Sequence, residues 1–135
     1  MKDPVRIVLR SGKDQSLRRY HPWVFSGAIK KMYGEPEDGD VVQVYSNQDE
    51  FLGIGHYQDG SIAVRILSFR EETRSEEFYL TRIREAVHAR AQVGLLDSKI
   101  TNVFRLVNAE GDGLPGIIMD YYNGILVTQF HSIGM

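Results

Sequence analysis

Residues 41–67 read VVQVYSNQDEFLGIGHYQDGSIAVRIL, and this stretch decides the fold. Val41 to Tyr45 and Glu50 to Tyr57 are apolar-rich runs separated by the polar turn Ser46 to Asp49, which predicts two paired strands. Asp59-Gly60 is a second hairpin signal, after which Ile62, Val64 and Ile66 point one way and Arg65 the other. Gly53 and Gly55 fall on one face of the middle run. Glycines at alternate positions weaken a strand but let it curve sharply or approach another backbone, as a small barrel requires.

Outward toward the N-terminus, Val5, Ile7 and Leu9 alternate with Arg6 and Arg10, the period of a strand with one buried face. Gly12 to Arg19 is polar and leads into Tyr20-His21-Pro22-Trp23-Val24-Phe25. Glu37-Asp38-Gly39-Asp40 is a turn signal. Residues 1–70 therefore read as an all-β module of about five short strands, in the manner of a small barrel with Trp23 and Phe25 in its core.

Outward toward the C-terminus, composition changes at Phe69. Thr73 stands three residues before Glu76, the spacing of a capping box, and Leu80, Ile83, Val87 and Ala91 recur at helical spacing up to Gly94, a C′ residue. Arg82, Arg84, Glu85, His88 and Arg90 fill the remaining faces and read as solvated. Gly116 to Tyr122 and Ile125 to Phe130 are strand-like runs joined by Asn123-Gly124, which suits a type I′ hairpin turn. The fold class is α+β: a small barrel over residues 1–70, then a helix and an incomplete antiparallel hairpin or sheet over residues 71–135.

Among the 135 residues, 42% are hydrophobic and none is cysteine, which excludes a disulfide framework, thiolate zinc and a cysteine nucleophile. No apolar run approaches the roughly twenty residues of a membrane span, and Met1-Lys2-Asp3-Pro4 is unlike a signal peptide, so cytoplasmic residence is expected. Net charge is −2 but uneven. Residues 1–31 hold eight cations against Asp3 and Asp14, leaving +6 there and −8 elsewhere. A localised basic end fits a polyanion, because phosphate neutralisation dominates nucleic-acid affinity.

Asn108, Glu110 and Asp112 with Gly113 imitate the opening of a calcium loop, but Met119 occupies the position that needs a bidentate carboxylate and Pro115 interrupts the loop. Gly111, Gly113 and Gly116 form a GxGxxG that precedes a strand, contrary to a nucleotide-binding turn. Glu110, Asp112 and Asp120 are expected to order the loop by holding backbone amides or an arginine such as Arg105. The four histidines lack metal spacing. No catalytic, cofactor-binding or metal residue is assigned. The functional candidates are Arg18, Arg19 and His21, with Lys30 and, from the strand face, Arg65: cations for phosphate beside rings on which bases stack.

These residues resemble a known family, the bacterial S-adenosylmethionine-dependent large-subunit rRNA cytosine-C5 methyltransferases with an N-terminal PUA domain. His21 to Ile29, Gly39 to Val44, Phe51 to Gly55 and Ile62 to Leu67 are similar to the PUA domain. Phe104 to Gly116 and Asp120 are similar to the signature of the central domain. The resemblance implies a PUA barrel followed by the start of a central α+β domain. The S-adenosylmethionine site and catalytic cysteine would then lie in a further domain, so that this chain is a fragment, inert alone, whose partner is ribosomal RNA. A structural module that forms a homodimer is the competing expectation, and a small carboxylate enzyme a third.

Overall fold

A computed structural model describes residues 3–72 and 74–135. They divide into two compact units, one running to Glu72 and taking in Gly134, the other running to Ile133 and taking in Met135.

The first unit contains β1 (Val5–Leu9), α1 (Gln15–Arg18), β2 (Trp23–Phe25), β3 (Ile29–Tyr33), β4 (Val41–Tyr45), β5 (Phe51–Tyr57) and β6 (Ile62–Ser68). The strands form one sheet in the order β2-β6-β5-β4-β1-β3. Only β1 and β4 run parallel, Val5 opposite Val42 through Val8 opposite Tyr45. Every antiparallel ladder carries an irregularity of register, at Val8/Leu9, Val24/Phe25, Val44/Tyr45 and Ile54/Gly55. Such bulges bend a strand and deepen its twist, so the sheet curls around Ile7, Leu9, Val42, Val44, Val64 and Ile66.

Gly55 shows why the curl needs glycine. A Cβ there would lie 2.8 Å from the carbonyl carbon of Arg65 and 2.9 Å from the Cα of Ile66, inside the neighbouring backbone. The sheet is a half-barrel, in keeping with the small barrel expected from the sequence, with β2 and β3 at the two ends of its strand order. It has six strands, not five. The additional β3 lacks alternation because four of its residues, Lys30 to Tyr33, are exposed.

The second unit contains α2 (Glu76–Gln92), β7 (Val103–Asn108), β8 (Ile117–Tyr122) and β9 (Ile125–Phe130), the strands forming an antiparallel sheet in sequence order. The cap of α2 is Ser75, whose Oγ accepts the Phe78 amide at 3.4 Å; the Thr73 cap lies outside the described residues. Gly94, at φ 78°, closes the helix: its amide bonds the Ala91 carbonyl, and the Leu95 amide bonds that of Arg90, the pair that defines a Schellman motif.

The buried stripe of α2 passes through Tyr79, Ile83, Ala86 and Val87, packed on Leu106, Val107, Leu114 and Ile117. Leu80 and Ala91 fall outside it and are exposed, one helical position away from the expected stripe. Arg90 continues the stripe instead of being solvated. Asn123 and Gly124 both take positive φ, 43° and 92°, as a type I′ turn demands.

Candidate nucleic-acid interface

The ring row of unit one is built on β2. Val24 is 1% exposed and faces the core, so by strand alternation Trp23 points to the opposite face. His21, Trp23 and Phe25 then make a row: the His21 and Trp23 rings meet edge to face at 5.6 Å, and Trp23 meets Phe25 in the same way at 6.3 Å. The Trp23 amide donates to Nδ1 of His21 at 3.3 Å, which orients the imidazole. Phe25 is 50% exposed and Trp23 is half-buried, so neither belongs to the barrel core to which the sequence assigned them. Register places Arg65 of β6 directly beside Trp23 on that face.

The approach to β2 is set by α1. Leu17 anchors this single turn in the core. The turn ends in a Schellman motif, with the Tyr20 amide on the Leu17 carbonyl and the His21 amide on that of Ser16, each at 2.9 Å. The left-handed C′ position of such a motif favours glycine, yet it is held here by Tyr20 at φ 63°. A bulky residue there costs on the order of 1 kcal/mol. The conformation puts the Tyr20 ring 74% exposed, edge-on to Phe69 at 5.3 Å.

The four cationic candidates divide by what they touch. Arg18 is exposed but engaged: its Nε donates to Asp14 at 2.6 Å and its Nη2 to Glu50. The Arg18 hydrogen bond holds the Asp14 carboxyl below its usual range, and the Glu50 and Asp14 bonds raise Arg18 further. Its charge is thus compensated by two carboxylates. Arg19 is exposed, and its guanidinium makes no hydrogen bond or ion pair with a described residue; the same is true of half-buried Arg65. Lys30 lies on β3, at the opposite edge of the sheet, and donates to the neutral Oδ1 of Asn47 at 3.0 Å. Arg65 and His21 are therefore brought together at Trp23, Arg19 lies at the exposed end of α1 two residues before His21, Lys30 is on the far edge, and Arg18 is occupied. Tyr20, Trp23 and Phe25 join the site. The alternation of rings at 21, 23 and 25 about Val24 was the sequence signal for them.

The carboxylates of the second unit serve structure. Both Asp112 oxygens take Arg90 Nη atoms, at 2.6 and 2.8 Å, and Oδ2 also accepts the Asn108 amide at 2.6 Å. Burial pushes the Asp112 carboxyl up, but the Arg90 and Asn108 bonds and the Arg90 charge outweigh it and leave it lowered. Asp120 is lowered by Arg105, whose Nε reaches it at 2.8 Å.

The glycine motif at 111–116 joins strand to strand through a short 3-10 turn, Ala109–Asp112, and the space a Cβ would take at Gly113 is filled by Arg82. It does not fit the strand-to-helix turn that cradles a nucleotide or methyl donor, and no step is assigned to it. Among the described residues no group of three acidic or histidine side chains could hold a metal, and no helix is long and apolar enough to cross a membrane.

Residues 7–69 match the PUA-like domain family. Over 95% of its length the chain is 42% identical to ribosomal RNA large subunit methyltransferase I of Pseudoalteromonas translucida, and over 96% it is 42% identical to the protein of that name from Shewanella amazonensis. It covers 32% and 33% of those proteins, so it spans about a third of the length of the relatives it matches. A solved structure assigned to the SAM-dependent methyltransferases, from Streptococcus mutans, superposes with a TM-score of 0.80 at 22% identity, covering 96% of this chain and 33% of the other. That likeness concerns the fold. Residues 7–69 are thus similar to PUA-like domains, in a chain similar to part of a ribosomal RNA methyltransferase.

Proposed function

We propose that this chain is the RNA-binding and substrate-positioning portion of a SAM-dependent 23S rRNA cytosine-C5 methyltransferase acting in the cytoplasm. Residues 1–70 are the PUA-like RNA-binding domain and residues 71–135 the beginning of the central domain. The methyl donor belongs to the parent enzyme and would be held outside this chain.

The observation that carries this reading is the register of Arg65 with Trp23 in the ring row His21-Trp23-Phe25, with exposed Arg19 leading into that row along the chain. A guanidinium without an internal carboxylate keeps its charge for phosphate, and an exposed ring beside it offers a face to an unpaired base. The similarity to two ribosomal RNA large subunit methyltransferases makes ribosomal RNA the partner of choice.

Trp23 is the single tryptophan of the chain, so its fluorescence reports this surface without interference. Titration with a structured rRNA fragment should quench it, with affinity falling as salt rises by a log–log slope of roughly −0.7 to −0.9 per phosphate contacted. Arg19→Ala with Arg65→Ala should weaken binding and flatten that slope. Quenching that is absent, or that ignores salt, removes the proposal.

A second reading, assembly into a homodimer, is favoured by β9, an edge strand on which Ile125, Leu126, Val127 and Phe130 are all exposed. Its test is a mass that rises with concentration in sedimentation while RNA affinity is absent.

A further inference from the structure

The face of the first sheet that carries Trp23 also carries, at its opposite edge, a second set of rings and cations. Arg6 of β1 stands in register with Tyr33 of β3, on the side opposite the core residues Ile7 and Leu9. Its guanidinium carbon lies 4.2 Å from the centre of the Tyr45 ring and 5.9 Å from that of Tyr33. Lys31 follows on β3, its Nζ 4.6 Å above the Tyr33 ring. Phe51 braces Tyr45 edge to face at 5.7 Å. Between the two edges His56 and Ile54 are buried, so this is a surface separate from the Trp23 row.

Two observations distinguish this cluster from packing. Tyr33 is 55% exposed although it belongs to a layered arrangement of cations and rings, so the cluster is reached from solvent at Tyr33. The Nε of Arg6 is shielded from solvent and makes no hydrogen bond with a described residue; its guanidinium is held by rings and by an ion pair with Asp49. Asp49 is 69% exposed at the tip of the β4–β5 turn, in the left-handed conformation at φ 69°. An exposed carboxylate over a ring-stacked guanidinium occupies the place a phosphate would take.

We propose that Tyr33, Arg6 and Tyr45, with Lys31, form a second RNA contact that stacks an unpaired base on Tyr33 and receives its phosphate at Arg6 in exchange for Asp49. This deepens, and rests on, the RNA-binding reading above. The occupant is single-stranded RNA because a π-face accepts any base while two cations track the backbone, the combination that binds unpaired strands. A strand engaged at both edges is bound bivalently, so each contact raises the effective concentration for the other.

The test photocross-links the whole chain to a single-stranded RNA, about twelve nucleotides long, carrying 5-iodouridine; about four to sixteen is the span one small β-barrel fold can engage. Adducts are expected on Tyr33 or Tyr45. Tyr33→Ala should lower affinity by about 5- to 150-fold, the range of one lost base stack, and the loss should persist at high salt while Tyr33→Phe restores binding. Asp49→Asn keeps a residue that tolerates left-handed backbone and should tighten binding by several fold. Glu85→Gln, the same charge change on α2, should not. Unaltered Trp23 fluorescence in the free variants establishes that the sheet is folded. Wild-type binding with adducts confined to Trp23 and Phe25, and no effect of Tyr33→Ala, overturns this inference and leaves the first interface standing. Absence of any wild-type binding overturns both.

Discussion

Removing the Asp112 carboxylate should unfold the second unit selectively. In the native chain that group takes two Arg90 hydrogen bonds and the Asn108 amide, with the Arg90 and Asp112 side chains 16% and 11% exposed. Deleting one partner of a buried ion pair costs about 3–5 kcal/mol, because the other charge is left desolvated. Arg90 retains one bond, Nε to the Arg105 carbonyl at 3.0 Å, and some solvent access, which places the charge term at the lower end of that range. The orphaned Asn108 amide adds about 1 kcal/mol. Asp112→Ala should therefore cost about 4 kcal/mol. Asp112→Asn, which keeps an acceptor for the amide, should cost about half of that. The double replacement Arg90→Met with Asp112→Leu should be less damaging than Asp112→Ala, since no charge is stranded. Urea unfolding followed by the far-ultraviolet signal of α2 measures the effect, and Trp23 fluorescence supplies an internal reference in the other unit. A cost of Asp112→Ala below about 1 kcal/mol, or an equal loss by both probes, refutes the reasoning.

Arg18→Ala should leave RNA affinity and its salt slope within experimental error of wild type, whereas Arg19→Ala should flatten the slope by about 0.7 to 0.9; the reverse order would contradict the pairing of Arg18 with Asp14 and Glu50. Gly55→Ala forces a methyl into the β6 backbone and should lower first-unit stability by about 3 kcal/mol, seen as a fall in the Trp23 melting temperature, with no such fall if the strand can shift freely. Asp112 and Asp120 have folded pKa values below their ordinary ones, so the unfolded chain binds more protons in the acid range. Their stabilisation is complete above about pH 4 and is lost as pH falls through the lowered native values. The helical melt should drop over that window, and Asp112→Asn should flatten the drop.

What the sequence disclosed, and what it concealed, follows from burial. Within residues 41–67, β4 was legible because its residues alternate between a dry core and a partly exposed face, and β5 and β6 because they are short apolar runs, buried on both sides, bounded by turn residues. β3 was hidden because an edge strand with four exposed residues, Lys30 to Tyr33, has no apolar face to alternate. Trp23 and Phe25 were drawn to the core by their size, although Val24 between them holds the single inward position that β2 offers. The stripe of α2 was displaced because Arg90, polar by composition, occupies a packed position once Asp112 neutralises it. Charge alone could not separate Arg18 from Arg19. The difference lies in Glu50, far along the chain and brought beside α1 by β5.

The strand that bears the Trp23 row has a further consequence for how the molecule acquires function. Trp23 is hydrogen-bonded into the sheet through β6, the last strand of its unit to be synthesised, and every intervening strand must be laid down first. Ordering it closes the longest loop in the unit, the kind of non-local event that slows a folding reaction. The aromatic surface is then a late product of maturation, and a nascent chain exposes no competent base-stacking row until the half-barrel is nearly complete.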